Sequence, residues 1–370
     1  MKTVQDIVTI NKFDNDREVL CLNGNAMREV KNNSNLFKHE KNALRLLRVN
    51  NADELCRLMG ASFCEIENAI NNPTYIRFQR PKKKGGYREI NAPSNELKRI
   101  QKRLNYYLQA YYLCIKPKEV HGFVINPHYL GKHCNIAANA KIHVGRECVL
   151  NIDLKDFFPS IRAKRVKELL LSDIFNFDEQ IANAITLLTT LNGRLPIGAP
   201  TSPVISNFIC RELDDELIEF SKEFGYTYTR YADDLTFSSN RKISNEELLD
   251  IINIIKKNDF AINQKKLRIQ SKNRKQTVTG LTVNDKVNVD RKLLKNVRAM
   301  LHDLSLNGLD EAAKKHYKSQ ILTDEMRVTF LNRLRGYVNF IGQIRGKDDS
   351  VYKSFKNRFE NSIGIYSIGN

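Results

Sequence analysis

Residues 226–238 read YTYTRYADDLTFS, in which two alternating segments, Tyr226–Tyr231 and Leu235–Ser238, meet at Ala232-Asp233. Alternation specifies two half-buried strands, and the short junction specifies a hairpin. The strongest constraint on the fold is that Asp233 and Asp234 stand side by side at that junction. Adjacent carboxylates repel, and burying them raises at least one pKa. Their place at a hairpin tip makes sense if divalent cations neutralise them. Mg2+ takes hard oxygen ligands, few of them from protein, with phosphates completing its shell. In a two-metal site, with ions ~4 Å apart, one ion activates the attacking hydroxyl and the other stabilises the leaving oxygen. Such a site needs a further carboxylate from another strand.

Asp153 is the candidate, because it ends the apolar run Cys148–Ile152, which reads as a buried strand. Asp156 competes, but three residues on it falls past the strand end. The bland reading of Asp233-Asp234 is a turn with solvated acids, since Asp is common in turns. The strand-borne Asp153 weighs against that and toward a polymerase-type palm.

The charge balance points the same way. Sixty Lys and Arg against 42 Asp and Glu leave a formal net charge of +18. Such a surplus draws polyanions, and phosphate contacts supply much of the affinity of nucleic-acid binders. The opening stretch MKTVQDIVTINKFDNDREVL has neither a continuous apolar run nor a small-residue cleavage signature. No segment approaches the ~18 apolar residues of a membrane span. Seven scattered cysteines without a CxxC pair indicate reduced thiols. The expectation is a cytoplasmic protein with no membrane partner.

Along the chain, residues 1–72 are polar and mixed, with a helical Leu pattern at Leu44, Leu47, Leu55 and Leu58. Gly85-Gly86 marks a hairpin within Tyr75–Pro93, and Ser94 caps a helix apolar on one face and basic on the other, at Lys98, Arg99, Lys102 and Arg103. Helical patterns follow over roughly 163–190 and Val204–Phe224, separated by the loop 195–203. A helix is expected near 244–258, then short strands at 267–270, 276–283 and 286–289. Asp290 caps a helix that Asn307-Gly308 ends, and the remainder reads as helical.

At this point the motifs resemble the reverse transcriptase family. RYADDLTFS (230–238) looks like its catalytic hairpin and NIDLKDFFPSI (151–161) like its first metal-binding strand. LPIGAPTSPVISN (195–207) resembles its substrate loop and following helix, and RPKKKGGYREINAP (80–93) its nucleotide-gripping fingers hairpin. NAKIH (139–143) and the Val278-Thr279-Gly280 triplet resemble the bacterial retron subgroup. The resemblance implies an α+β right-hand polymerase. It would have an N-terminal helical region (1–72), fingers and an antiparallel palm (73–289), and a helical thumb (290–370). It implies an RNA-directed DNA polymerase using two Mg2+ ions and dNTPs. That enzyme would copy a structured non-coding RNA, primed from a 2′-hydroxyl, into the branched RNA–DNA hybrid called msDNA. An effector protein encoded nearby and a role in anti-phage defence are implied with it.

The same resemblance assigns catalysis and metal binding to Asp153, Asp233 and Asp234. It places Lys84 and Arg88 on the incoming triphosphate, Phe158 beneath the sugar as a gate against a 2′-hydroxyl, and Gly198 and Lys266 at the nucleotide. Plain core packing is the rival role for one of Phe157 and Phe158, and a solvated loop for Lys84 and Arg88. Asn263 is set beside Lys266 in a late palm motif. Asn139 and His143 are read as structural or RNA-contacting, and Arg291, Lys295, Arg298, Arg333 and Arg335 as RNA-binding on the thumb. Ile197 departs from the Gln that the family commonly has in its loop and donates no side-chain hydrogen bond. A zinc site among His121, His128, His133, His143, Cys134 and Cys148 is the alternative for 121–148, although the spacings fit no familiar pattern. The alternatives for the whole chain are a group II intron-like or other bacterial reverse transcriptase, a non-catalytic RNA-binding palm scaffold, and a nucleotidyl cyclase.

Overall fold

A computed structural model describes residues 9–13, 17–21, 36–82, 85–131 and 133–367. The chain forms two compact units: Met1–Asn135 with Leu150–Ser239 and Ile243–Arg268, and Ile136–Val149 with Asn240–Lys242 and Ile269–Asn370.

The first unit opens with a two-stranded antiparallel ribbon, β1 (Thr9–Phe13) and β2 (Arg17–Cys21), where the sequence reading expected helix. The expected helices begin later, as α1 (Lys38–Leu47), α2 (Ala52–Met59) and α3 (Phe63–Asn71). Asn51 and Ser62 start the second and third by accepting hydrogen bonds from the backbone N–H groups of Glu54 and Glu65. The fingers-like hairpin forms as β3 (Tyr75–Pro81) and β4 (Tyr87–Pro93), with Arg80 opposite Arg88. The long helix α4 (Asn95–Ile115) buries Leu97, Ile100, Leu104 and Leu108 and leaves its Lys/Arg face in solvent.

Past α5 (Ile136–Lys141), which belongs to the second unit, the run Cys148–Asp153 is strand β5, buried on both faces apart from Asn151. The helical stretch after it divides into α6 (Phe157–Ser160), α7 (Ala163–Leu171) and α8 (Glu179–Thr189). The next divides at Cys210 into α9 (Ser202–Ile209) and α10 (Arg211–Phe224). The catalytic-hairpin motif forms β6 (Thr227–Tyr231) and β7 (Asp234–Ser239), in the sheet order β6-β7-β5. Helix α11 (Asn245–Lys257) starts with a reciprocal Ser244–Glu247 cap. One apolar cluster, including Ile152, Phe157, Phe208, Leu235 and Phe237, holds this unit together.

At β8 (Arg268–Ser271) the chain passes into the second unit. There β9 (Thr277–Val278) and β10 (Leu281–Thr282) form a minimal hairpin across Thr279-Gly280; residue 288 adds a bridge to Thr282 rather than a full strand. Three helices follow: α12 (Arg291–Tyr317), α13 (Asp324–Arg345) and α14 (Ser350–Ser367). Gly308 does break helical geometry, with φ 77°, but helix resumes beyond it. These helices share a separate core built on Val297, Leu301, Leu304, Phe330, Leu334, Val338 and Ile341. No helix of the described residues is long and apolar enough to cross a membrane.

Candidate active site

Register decides where the carboxylates fall. Pairing Tyr231 with Asp234 leaves Ala232 and Asp233 as a two-residue turn. Ala232 takes φ +61°, a conformation that costs an L-residue of order 1–3 kcal/mol and persists only where its surroundings fix it. Here they do. The N–H of Leu154 donates to the Asp233 carbonyl at 2.9 Å, so the end of β5 is bonded directly to the turn. On its other side the turn packs against Gly122, where a Cβ would sit 2.2 Å from the Ala232 nitrogen.

A buried ion pair secures the same turn. Arg230 and Asp214 have no solvent exposure. The guanidinium donates to both Asp214 oxygens, at 2.8 and 2.6 Å. Its remaining nitrogen, Nη1, donates to Asn207 Oδ1 at 2.9 Å and to the Ala232 carbonyl at 3.3 Å. Asn207 in turn donates to the Gly122 carbonyl at 3.0 Å, and Tyr228 donates its hydroxyl to Asp214 at 2.8 Å. Helices α9 and α10, the segment at 122 and strand β6 therefore all grip the turn through one hydrogen-bonded group. Sequence reasoning missed Asp214 and Gly122 altogether, and quoted Asn207, Tyr228 and Arg230 only as parts of motifs.

Asp153 is 8% exposed, and two groups from the stretch after α11 hold it. The backbone N–H of Asn263 donates to the Asp153 carbonyl at 2.8 Å, and its side-chain amide donates to the Asp153 carboxylate at 3.2 Å. Lys266 Nζ donates to the other oxygen at 2.6 Å. In this arrangement Lys266, expected at the nucleotide, neutralises Asp153. Burial pushes the Asp233 carboxyl above its ordinary value, and the charge of Asp153 adds to the effect. Burial likewise pushes Asp234 up to about 7, with Asp233 and Asp153 adding. Asp234 nonetheless stays open to solvent on one side, as a group in a recess does. The three carboxylates thus share one field, with Lys266 near both hairpin acids and Arg88 near Asp233.

Among the described residues no three His, Cys, Asp or Glu side chains close around a point as a cage. That covers the histidines and cysteines of 121–148 as well. His121 is buried, both ring nitrogens lack hydrogen-bond partners, and burial lowers its pKa to about 4, so it is a neutral packing residue. The aspartates suit an ion of another kind. Two carboxylates whose burial and mutual repulsion are only partly offset by Lys266 and Arg88, beside a third paired with Lys266, are the hard, incomplete donor set that Mg2+ shares with phosphate oxygens.

The other expected residues fall as follows. Phe157 is core at 5% exposure, whereas Phe158 is half-buried and stacks on Phe123 with centroids 5.7 Å apart. Gly198 has φ +119°, and a Cβ there would come within 2.9 Å of the Asn91 carbonyl oxygen. Its freedom serves contact with β4, whose Asn91 N–H also donates a 2.7 Å hydrogen bond to the Ile197 carbonyl. The backbone at Ile197 thus ties loop to hairpin, whatever its side chain lacks. Arg88 is exposed, and Lys84 lies outside the described residues. In the second unit Asn139 and His143 have no exposed surface, so contact with RNA would require that segment to open. Arg291, Lys295 and Arg298 on α12, and Arg333 and Arg335 on α13, are all exposed. Arg298 and Arg335 lie over the rings of Phe355 and Phe359.

Residues 80–283 match the family model described as reverse transcriptase (RNA-dependent DNA polymerase). The chain is 35% identical over 261 residues to the Retron Mx65 reverse transcriptase of Myxococcus xanthus, covering 65% of this chain and 58% of that protein. It is 30% identical over 307 residues to the Retron Mx162 reverse transcriptase of the same organism, covering 70% and 59%. It is 32% identical over 302 residues to the Retron Ec73 reverse transcriptase of Escherichia coli, covering 76% and 86%. The chain thus spans less than two thirds of the length of the two Myxococcus proteins.

Proposed function

Because this chain belongs to the reverse transcriptase family, and within it to the bacterial retron reverse transcriptases, we propose that it is an RNA-directed DNA polymerase that makes msDNA from a structured non-coding RNA. Its fold is α+β, that of a right-hand polymerase. The observation that carries the activity is the meeting of Asp153, at the end of β5, with Asp233 and Asp234, at the turn into β7. Two Mg2+ ions bound there would supply the charge that activates a 3′-hydroxyl and stabilises the departing pyrophosphate. The protein's part is to hold the three carboxylates in place, through the Arg230 network on one side and Asn263 on the other. Lys266 guards Asp153 until substrate arrives. Phe158, on its Phe123 support, closes the space a ribose 2′-hydroxyl would need. Lys84, Arg88 and Gly198 belong to the grip on the dNTP.

In this reading residues 73–289 are fingers and palm, 1–72 an N-terminal region and 290–370 a thumb whose Arg291, Lys295, Arg298, Arg333 and Arg335 track phosphates. Asn139 and His143 hold their segment in its packed form. The protein would work in the cytoplasm, beside an effector encoded nearby, in anti-phage defence. The test is to purify the protein from its native locus and sequence the nucleic acid that comes with it. Single-stranded DNA covalently joined to RNA, and absent when Asp233 and Asp234 are replaced by Ala, is the expected result. Active enzyme that carries only unlinked RNA would overturn the retron assignment.

A further inference from the structure

Helices α1 and α4, with the end of α2, enclose a groove of about 1150 Å³ whose walls hold seven Lys and Arg and no Asp or Glu. Sequence analysis saw the basic face of α4, but nothing in the polymerase reading uses it. Two of its cations are structural. Arg99 donates to the Gly60 carbonyl at 2.5 Å and pairs with Glu65 at 2.7 Å. Arg103 donates to the Leu58 carbonyl at 3.1 Å and lies over the ring of Tyr107. These contacts set the wall rigidly against the end of α2. Lys38, Arg45, Lys98 and Lys102 are exposed, and their side chains have no hydrogen-bond or ion-pair partner among the described residues.

At 1.5 Å of rise per residue, Lys98 and Lys102 stand about 6 Å apart along α4, and Lys38 and Arg45 about 10 Å apart along α1. Cations strung along two helices suit a line of phosphates rather than one small anion, around which they would converge. A membrane surface would call for apolar side chains on a convex face, and this face is concave. The groove also offers neutral groups that can donate and accept. Asn42 donates to the Tyr106 hydroxyl at 2.8 Å, and Asn95 also lines the groove. Such groups read a 2′-hydroxyl, the feature that separates RNA from DNA.

We propose that this groove is an anchoring site for the sugar–phosphate backbone of RNA, distinct from the carboxylate centre and binding without regard to sequence. That the RNA is the one the enzyme copies rests on the function proposed above. The test uses the full chain and a fluorescein-labelled RNA stem-loop with single-stranded flanks, titrated over a range of salt concentrations. A triple variant, Lys38→Gln, Lys98→Gln and Lys102→Gln, is compared with a charge-matched triple elsewhere in the same unit, Lys118→Gln, Lys222→Gln and Lys256→Gln. Each lost phosphate contact lowers the slope of log K against log salt by about 0.7, so the groove triple should flatten it by about 2 and weaken binding roughly tenfold or more at low salt. The control should move it much less, and DNA of the same sequence should respond less than RNA. Equal weakening by both triples, an unchanged slope, or a larger effect on DNA would each overturn the proposal. Thermal unfolding checks that the variants are folded, and the single Lys102→Glu variant repeats the comparison with least disturbance. Failure of the polymerase reading would show separately, as wild-type protein that makes no DNA on a short RNA template, while the binding slopes would still be read.

Discussion

Arg230 holds the Ala232-Asp233 turn by a bond that its partner Asp214 makes possible, and the two can be separated by experiment. Asp214→Asn leaves a buried guanidinium short of its counter-charge, and we expect a loss of about 3–5 kcal/mol in denaturant unfolding. Replacing both residues with apolar ones, Arg230→Met with Asp214→Leu, should restore much of that stability. It does not restore the bond to the Ala232 carbonyl, so DNA synthesis should stay low; recovery of activity along with stability would show that the pair only fills space. Asp234 gives a pH signature. Its folded pKa of about 7 lies above its ordinary 3.8, so the folded state binds the extra proton and stability falls as pH rises through that window. The ion-free protein should therefore melt lower at about pH 8 than at about pH 5, and Asp234→Asn should flatten the difference. An unchanged pH profile in that variant would remove Asp234 as the group responsible. Phe158→Ala should admit ribonucleotides in primer extension, and unaltered sugar discrimination would refute the gate.

At the scale of elements, the loop 195–203 and the β3–β4 hairpin act as one piece, because Gly198 allows the backbone contact to Asn91. Gly198→Ala would put a Cβ 2.9 Å from that carbonyl oxygen and from Ile90 Cγ2. The clash adds to strain of order 1–3 kcal/mol at φ +119°. The expected outcome is a raised KM for dNTP with a smaller change in RNA binding, and a KM equal to wild type would dissociate the loop from the hairpin. What was legible here followed distance in sequence. The β6–β7 hairpin and strand β5 announced themselves because alternation and apolar runs are local patterns. So did the cap at Asp290. Asp214 did not, because an acid on a long charged helix reads as solvated unless the partner 16 residues on is known to face it. Gly122 was illegible for the same reason, since the backbone it admits is brought up only by folding. The N-terminal strands were missed where the sequence is polar and mixed, and the break at Cys210 where the apolar pattern runs on through it.

For the molecule as a whole, the cations behind the net charge of +18 stand in different surroundings. The cations on α12 and α13 and those of the groove between α1 and α4 face solvent, whereas Lys266 and Arg88 act on the carboxylates. Charge alone therefore pointed to a nucleic-acid partner without saying where it would bind. All of this matters only if the three aspartates work as one metal-dependent centre. The most direct measurement is Mg2+-dependent DNA synthesis on an RNA template by wild type and by the single variants Asp153→Asn, Asp233→Asn and Asp234→Asn, with RNA affinity followed in parallel. Wild type should synthesise DNA only with the divalent ion, and each variant should lose synthesis while still binding RNA. A variant that still made DNA at the wild-type rate would contradict the shared centre.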